Sequence, residues 1–251
     1  MKDPGNSARP RPLAASRAAI LPALALLLSV GAAGAACRQA LVLGLDVSGS
    51  VDAAEYRLQL DGVATALGSA EVRSALAAMP DAPVDLAVFE WAGPADARVI
   101  QPWITLADDA AVDAVIARLA GTLRTGTDPS TAIGAALLFG DTLLAQRGAC
   151  WRQVLDISGD GMSNTGPRPQ KVETAAETVV NALVVGSDTD VATDLRQAEV
   201  KELSSYFRVN VIRGPEAFVE VALGYEDYAR AMQRKLLREL QVMAVGAAAP
   251  D

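Results

Sequence analysis

Two short apolar runs constrain the fold of this 251-residue sequence more than any other feature. Ala40–Val47 and Val179–Val185 carry apolar residues at nearly every position, instead of the alternation expected of a strand with one solvated face. Strands with this pattern are buried on both faces, which occurs almost only where helices cover both sides of a parallel sheet. The two runs therefore predict an α/β domain.

The rest of the chain alternates between strand-like and helix-like patterns. Further strands are predicted at 84–91, 98–104, 152–157 and 217–221, and helices at 52–67, 108–120, 131–146, 168–178, 191–206 and 225–241. This order predicts one doubly wound domain, a mostly parallel sheet flanked by helices. Ligands of such domains bind beyond the carboxyl ends of the strands, where the strand order reverses.

The last predicted helix has an apolar stripe and a basic face. The stripe, which begins at Tyr225, is interpreted as packing against the sheet. The basic residues between its members are interpreted as a solvated face: Arg230, Arg234, Lys235 and Arg238.

Residues 1–36 have the layout of a secretory signal peptide: a basic segment, the apolar run Ala18–Val30, and then Gly and Ala. A membrane anchor is the alternative, but the run is shorter than the roughly 20 residues that span a bilayer, and it contains Pro22. We therefore predict an exported protein, periplasmic or extracellular, without stable membrane insertion. It would comprise a domain at 37–243 and a disordered tail at 244–251.

The two cysteines, Cys37 and Cys150, are expected to form a disulfide in an oxidising compartment. Each precedes a predicted strand, so the pair would lie at the same end of neighbouring parallel strands. Lipid attachment at Cys37 is a minor alternative, because Gly34 occupies the place where that signal requires a larger apolar residue.

Composition excludes several kinds of chemistry. The sequence has no histidine, which removes Ser-His-Asp and Cys-His catalysis and every His-ligated metal site. The net charge is −8, and without residues 1–36 it becomes −11, with 18 basic and 29 acidic residues. Such a surface repels phosphate groups, so nucleic acid is not an expected partner.

Three predicted loops at the carboxyl edge of the sheet are rich in oxygen donors. The first carries Asp46, Ser48 and Ser50, the second is 127–131, and the third is 156–161. With no histidine and only two cysteines available, any metal must be held by oxygen, which favours Mg²⁺, Ca²⁺ or Mn²⁺ and disfavours zinc. Helices predicted to begin near 52 and 131 would add positive potential.

These loops resemble the metal-ion-dependent adhesion site (MIDAS) of von Willebrand factor A-type domains. The matching residues are Asp46-x-Ser48-x-Ser50 after a buried strand, Thr131 at the start of a later helix, and Asp160-Gly161 after the fourth strand. Thr127 is the alternative for the threonine. Gly159 departs from the family pattern, in which a threonine precedes the aspartate. The resemblance implies that these five side chains surround one divalent cation, with Mg²⁺ expected first.

More narrowly, Phe89-Glu90-Trp91-Ala92-Gly93 and Gly214-Pro215-x-Ala217-Phe218 are similar to segments in a group of secreted bacterial proteins with this domain. The resemblance implies a non-enzymatic domain that binds a protein or peptide ligand, whose carboxylate completes the coordination of the cation. Two alternatives stay open: a metal-dependent hydrolase of phosphate esters, and a structural subunit that its cation only stabilises. Arg124 is the one basic residue near the predicted loops, which disfavours the hydrolase.

Overall fold

The computed structural model describes residues 37–126, 128–186 and 193–246. The predicted signal peptide, Thr127 and the part of the predicted tail after Gly246 lie outside these ranges. In the part of the chain that the model describes, no helix is both long and apolar enough to cross a membrane.

Within the described ranges, six strands form one mostly parallel sheet. They are β1 (Gln39–Asp46), β2 (Val84–Trp91), β3 (Ala97–Leu106), β4 (Gln153–Gly159), β5 (Thr178–Val185) and β6 (Val219–Ala222). Their order across the sheet is β3-β2-β1-β4-β5-β6, and only the pairing of β2 with β3 is antiparallel. This architecture confirms the predicted fold class.

Helices cover both faces of the sheet. They are α1 (Ala53–Gly68), α2 (Ala70–Ala77), α3 (Asp109–Ala120), α4 (Ile133–Leu144), α5 (Thr193–Asn210) and α6 (Tyr228–Gly246). In β1, Leu41, Leu43 and Leu45 face a core shared with α1, α3 and α6, while Ala40 and Val42 face a second core shared with α4 and α5. The continuous apolar run in β1 therefore follows from two cores that take alternate residues of one strand.

The prediction of a helix at 168–178 is wrong. Only Pro169–Lys171 forms a short 3-10 turn, and the following residues are irregular up to β5. The Arg213 side chain donates hydrogen bonds to the carbonyl oxygens of Pro169 and Val172. A carboxylate oxygen of Asp141 accepts the Ala175 N–H at 3.1 Å. The side chains of Arg213 and Asp141 therefore form hydrogen bonds with backbone groups that would pair with each other in an α-helix.

Two helices differ from their sequence-based expectations. The short helix α2 was not predicted, and it begins after Ser69, whose hydroxyl oxygen accepts the Val72 N–H. The last helix was expected to end at 241, but α6 continues to Gly246.

Lys235 does not lie on the solvated face expected for α6. Its side chain is fully buried, with Nζ 2.8 Å from Asp156 Oδ2 and 2.7 Å from Glu239 Oε1. Asn181 Nδ2 donates a further hydrogen bond to Glu239 Oε1 at 2.7 Å. Arg230, by contrast, is 78% exposed, as the sequence predicts. The buried lysine balances a carboxylate in the sheet and another on its own helix.

The Cys37–Cys150 disulfide forms as predicted and joins residues 113 positions apart in the sequence. Cys37 precedes β1 and Cys150 precedes β4, and these strands are parallel neighbours. The Trp151 N–H also donates to the Cys37 carbonyl oxygen at 2.9 Å, so the two strand entries are joined by a backbone hydrogen bond as well.

Denatured, unreduced protein is expected to show no free thiol, because both cysteines are in the disulfide. Titration with a thiol reagent before and after reduction measures this, and the reduced sample should give two thiols per chain. Two thiols without reductant would contradict the disulfide.

Candidate functional site

The carboxyl ends of β1 and β4 form the point where the strand order reverses. From β1 the chain proceeds to β2 and β3 on one side of the sheet, and then crosses to β4 on the other. Asp46 ends β1, and Asp160 directly follows β4. In doubly wound sheets this crevice is the usual ligand site.

The first loop joins four of the predicted residues through hydrogen bonds. The Ser48 N–H donates to Asp46 Oδ1 at 2.8 Å, and the hydroxyl oxygens of Ser48 and Ser50 lie 3.3 Å apart. Ser50 Oγ then donates to Asp160 Oδ1 at 2.7 Å, across 110 residues of sequence. Asp46 and Ser48 are buried, whereas Ser50 is exposed, so the cluster opens to solvent on one side.

The second loop brings Thr131 to the same place. The Gly49 N–H donates to the Pro129 carbonyl oxygen at 3.1 Å, and a Cβ on Gly49 would lie only 2.8 Å from Pro129 Cβ. Asn164 holds the Thr131 backbone from both sides, since its Oδ1 accepts the Thr131 N–H and its own N–H donates to the Thr131 carbonyl oxygen, each at 2.9 Å. Thr131 Oγ1 lies 4.0 Å from where a Cβ on Gly161 would be. All five predicted residues therefore lie around one crevice.

Gly159, which departs from the MIDAS pattern, has a packing reason. A Cβ at this position would lie 3.1 Å from Asp46 Oδ2 and 3.5 Å from both Trp91 and Phe207. A larger residue here would crowd the Asp46 carboxylate, so the glycine leaves room around that group.

The electrostatics of the crevice leave negative charge uncompensated. Burial and the nearby negative charge of Asp160 raise the pKa of Asp46 to about 7. Burial also raises the pKa of Asp160, despite the opposing effect of hydrogen bonds from Ser50 and Tyr225. Asp46 Oδ2 is buried and has no hydrogen-bond partner among the described residues. A buried carboxylate oxygen without a partner is costly, and a cation bound beside it would offset that cost.

The donor set suits a hard divalent cation. Two carboxylates and three hydroxyls are the kind of oxygen ligands that Mg²⁺, Ca²⁺ and Mn²⁺ prefer. The unpartnered Asp46 Oδ2 has a lone pair available to such a cation.

The two neighbouring helix N-termini differ from each other. The Asp52 carboxylate caps α1 by accepting the N–H groups of Ala54 and Glu55, and Glu55 accepts the Asp52 N–H in return. This capping box places two carboxylates at the N-terminus of α1, so that helix adds less positive potential than expected. The N-terminus of α4, next to Thr131, has no side-chain cap hydrogen bond. The positive end of a helix dipole thus comes mainly from α4.

Arg124 holds the first loop through hydrogen bonds to its backbone. Its guanidinium donates to the carbonyl oxygens of Val47 at 2.8 Å, Ser48 at 3.1 Å and Val51. From the sequence, Arg124 was expected only near the predicted loops, without a role in them. In the structure, the guanidinium N–H groups of Arg124 instead fix the backbone that carries Ser48 and Ser50.

Arg124→Ala is expected to weaken Mg²⁺ binding by about tenfold, since residues that orient metal ligands typically contribute that much to affinity. Calorimetric titration measures this. Arg57→Ala is the matched control, because Arg57 also donates to carbonyl oxygens (Leu119 and Thr122) but not to those of the site loop. Equal Mg²⁺ affinity in wild type and Arg124→Ala would show that the hydrogen bonds of Arg124 to the first loop do not support a cation site.

Besides Asn164, both Tyr225 and Gln59 support the site without having been predicted to do so. Tyr225, which begins the 3-10 turn before α6, directs its hydroxyl to Asp160 Oδ2 at 3.3 Å. Gln59 Nε2 donates to the Asp46 carbonyl oxygen at 2.9 Å from within α1. Gln59 could have been noticed in the sequence, because it is a polar residue beside the apolar stripe of an amphipathic helix. The role of Tyr225 has no local sequence pattern, since its pairing with Asp160 spans 65 residues.

Another group of possible metal ligands lies at the opposite ends of the strands. Cys37, Asp85 and Cys150 have ligand atoms within 4.8 Å of one another. The two sulfurs are bonded to each other, and metals bind cysteine as a thiolate. Asp85 is also paired with Arg147 at 3.0 Å. In the oxidised protein this group therefore does not provide a metal site.

Comparison with known families gives one extensive match. A profile described as "Protein of unknown function (DUF1194)" matches residues 36–244. A search of curated proteins finds no match.

Several solved structures share the fold. The zinc-occupied MIDAS form of proximal thread matrix protein 1 from the mussel byssus is 14% identical, with a TM-score of 0.54 over 82% of this chain and 46% of that one. The von Willebrand factor type A structure from Catenulispora acidiphila is 14% identical, with a TM-score of 0.50 over 81% and 43%. The pilus adhesin SpaC from Lactobacillus rhamnosus GG is 13% identical, with a TM-score of 0.52 over 83% and 31%. The chain spans less than half of each of these proteins, and at these identities the similarity shows the fold alone.

Proposed function

The chain belongs to the family described as "Protein of unknown function (DUF1194)" and has the fold of a von Willebrand factor A-type domain. From this premise we propose that it is an exported protein that binds a divalent cation at the crevice between β1 and β4 and uses it to hold a protein or peptide ligand. The observation that carries the proposal is the convergence of Asp46, Ser48, Ser50, Thr131 and Asp160 around a buried, unpartnered carboxylate oxygen.

The charges of this donor set favour a further ligand. Asp46 and Asp160 balance a dication only formally, and the three hydroxyls are neutral. The bound cation would therefore stay electrophilic and offer a position to a carboxylate of the partner. The exposed Ser50 leaves this side of the crevice open to solvent, and the positive end of the α4 dipole adds potential that favours an anion.

Hydrolysis of phosphate esters is less well supported. A developing phosphate charge needs cationic or hydrogen-bond donors aimed at it. Arg124, the basic residue that the sequence places near these loops, donates its guanidinium hydrogens to three backbone carbonyl oxygens. With no histidine in the sequence, the usual general base is absent as well.

The identity of the cation is proposed from the oxygen ligands. Mg²⁺ is favoured, and Ca²⁺ and Mn²⁺ suit the same donors. The mussel matrix protein has a zinc-occupied MIDAS motif, so the absence of histidine is a weaker argument against zinc than the sequence suggests. Zinc therefore belongs in the panel of ions to be tested.

Export is proposed on two grounds. The Cys37–Cys150 disulfide fits an oxidising compartment, and residues 1–36 have the signal-peptide pattern.

The test is a pull-down from an envelope extract of the source organism with immobilised 37–251, in Mg²⁺ and in chelator. We expect a partner that binds wild type only with Mg²⁺ and does not bind Asp46→Ala. Asp61→Ala is the matched control, because it removes a carboxylate of α1 whose side chain is 56% exposed.

Three other outcomes would contradict the proposal. A partner retained equally in chelator and by Asp46→Ala would separate binding from the cation. Turnover of generic phosphate esters would favour the hydrolase. A divalent-dependent rise in melting temperature without any captured partner would favour a purely structural cation.

A further inference from the structure

A polar cavity of about 340 Å³ lies beside the candidate cation site. It is formed by the segment after β4, from Ser163 to Gln170, and by Tyr206 of α5. Asn164, which lines the cavity, is the residue that holds the Thr131 backbone through two 2.9 Å hydrogen bonds. The cavity and the crevice therefore share a structural element.

The segment that forms the cavity runs across the start of α4. A Cβ on Gly134 would lie 2.0 Å from the Pro167 carbonyl oxygen, so the chain touches the first turn of that helix. Arg168 is four residues beyond Asn164, and a fully extended chain covers at most about 14 Å over that interval. One short extended peptide, at about 3.3 Å per residue, would therefore reach from the cation site beside Asn164 to Arg168.

The charge of this segment differs from that of the protein. Residues 161–172 contain no acidic residue and include Arg168 and Lys171, on a chain with a net charge of −8. Within the described residues, Arg168 makes no hydrogen bond or ion pair. Arg213, by contrast, donates to backbone carbonyl oxygens. A solvent-accessible guanidinium in a polar cavity suits a carboxylate, which it can bind through two parallel hydrogen bonds.

We propose that this cavity is a second anchoring site for the ligand, and that the ligand is an acidic peptide segment with two carboxylates. One carboxylate lies at the cation site, and the other pairs with Arg168, two to four residues away along the peptide. The inference rests on the proposed function, because the first anchor is the cation site. The amide groups of Asn164 and Gln170 add neutral hydrogen-bonding partners at the second. The charge-assisted pair is expected to raise peptide affinity about tenfold.

The test uses a library of random nonapeptides with one fixed central aspartate, screened on the mature protein in Mg²⁺ and in chelator. Half of the library has amidated C-termini and half has free C-termini, which distinguishes a side-chain carboxylate from a terminal one. Wild type is expected to select Asp or Glu, or the free terminus, two to four residues from the fixed aspartate. Arg168→Gln should lose this second preference, bind the selected peptides about tenfold more weakly, and retain dependence on Mg²⁺.

Lys171→Gln is the matched control, since it removes the same charge from the same segment but does not line the cavity. It should keep the second preference. Three results would overturn this inference alone, provided that selection depends on Mg²⁺. Wild type could select no second acidic residue, Arg168→Gln could keep the second preference, or Lys171→Gln could lose it to the same extent as Arg168→Gln. Selection that does not depend on Mg²⁺ in wild type would overturn the proposed function and this inference with it.

Discussion

Asp46→Ala is expected to abolish Mg²⁺ binding, with a loss of at least about 100-fold in affinity, because it removes one of the two carboxylates of the site. Asp160→Ala should have the same effect. Asp46 ends β1 and Asp160 follows β4. The two are linked through Ser50, whose hydroxyl donates to Asp160 and lies 3.3 Å from the Ser48 hydroxyl. Loss of either aspartate leaves one negative charge to hold a dication.

The stability of these variants separates a metal ligand from a structural residue. In wild type without metal, Asp46 is a buried carboxylate with an unpartnered oxygen, and such a group destabilises a folded protein. Asp46→Asn removes the charge, keeps the volume and keeps an acceptor for the Ser48 N–H. It should therefore be at least as stable as wild type in chelator. It should also lose the rise in melting temperature that Mg²⁺ gives to wild type.

Calorimetric titration with Mg²⁺ measures the affinity, and thermal unfolding with and without chelator measures the stability. Circular dichroism of each variant checks that the fold is intact. Unchanged Mg²⁺ binding in both Asp46→Ala and Asp160→Ala would rule out the site.

Lys235→Met is expected to lower the free energy of unfolding by about 3–5 kcal/mol. The substitution keeps the apolar stem but removes the ammonium group between Asp156 and Glu239, both of which are buried. Two carboxylates would then lie in the interior without their cation. The ammonium also lies 4.8 Å from the centre of the Phe218 ring, a cation–π contact that the variant loses as well.

Urea denaturation measures this effect, with Arg230→Ala as the control on the same helix. Arg230 is 78% exposed and pairs with Asp227 at the surface, so its loss should cost less than about 1 kcal/mol. Adding Asp156→Asn to Lys235→Met should recover part of the loss, because it removes one of the two uncompensated charges. Equal stability of Lys235→Met and Arg230→Ala would contradict a buried ion-pair cluster.

The candidate site was predictable because its signal is local. Asp46, Ser48 and Ser50 follow a strand whose apolar run marks it as buried on both faces, and Asp160 follows another strand. Carboxyl ends of parallel strands lie at one edge of the sheet, so the sequence predicts these oxygen donors at that edge, and the resemblance to the adhesion site singles out the residues. The structure adds that β1 and β4 are neighbours. The disulfide was predictable because the chain has only two cysteines and a signal-peptide pattern that indicates an oxidising compartment. The structure adds that the strands after Cys37 and Cys150 pair with each other.

The errors arose where long-range contacts override local patterns. The helix predicted at 168–178 is absent because Arg213, far along the chain, takes the carbonyl oxygens of Pro169 and Val172. Lys235 was assigned to a solvated face from its charge and helical position. It is buried because Asp156 in β4 faces α6.

The sequence by itself determined the fold class, the edge of the sheet that carries the oxygen donors, and the pairing of the cysteines. The fold class and the edge follow from hydrophobic periodicity, which is a local signal, and the disulfide follows from the presence of only two cysteines in a chain with a signal-peptide pattern. Only the tertiary structure decided which groups support the donors, namely Arg124 at the first loop and Tyr225 at Asp160. The burial of Lys235 between Asp156 and Glu239 was likewise decided by packing alone. The tertiary structure also decided that Arg168 lines a cavity beside the site. Their positions depend on the packing of helices against the sheet, which joins residues tens of positions apart and leaves no periodic trace in the sequence.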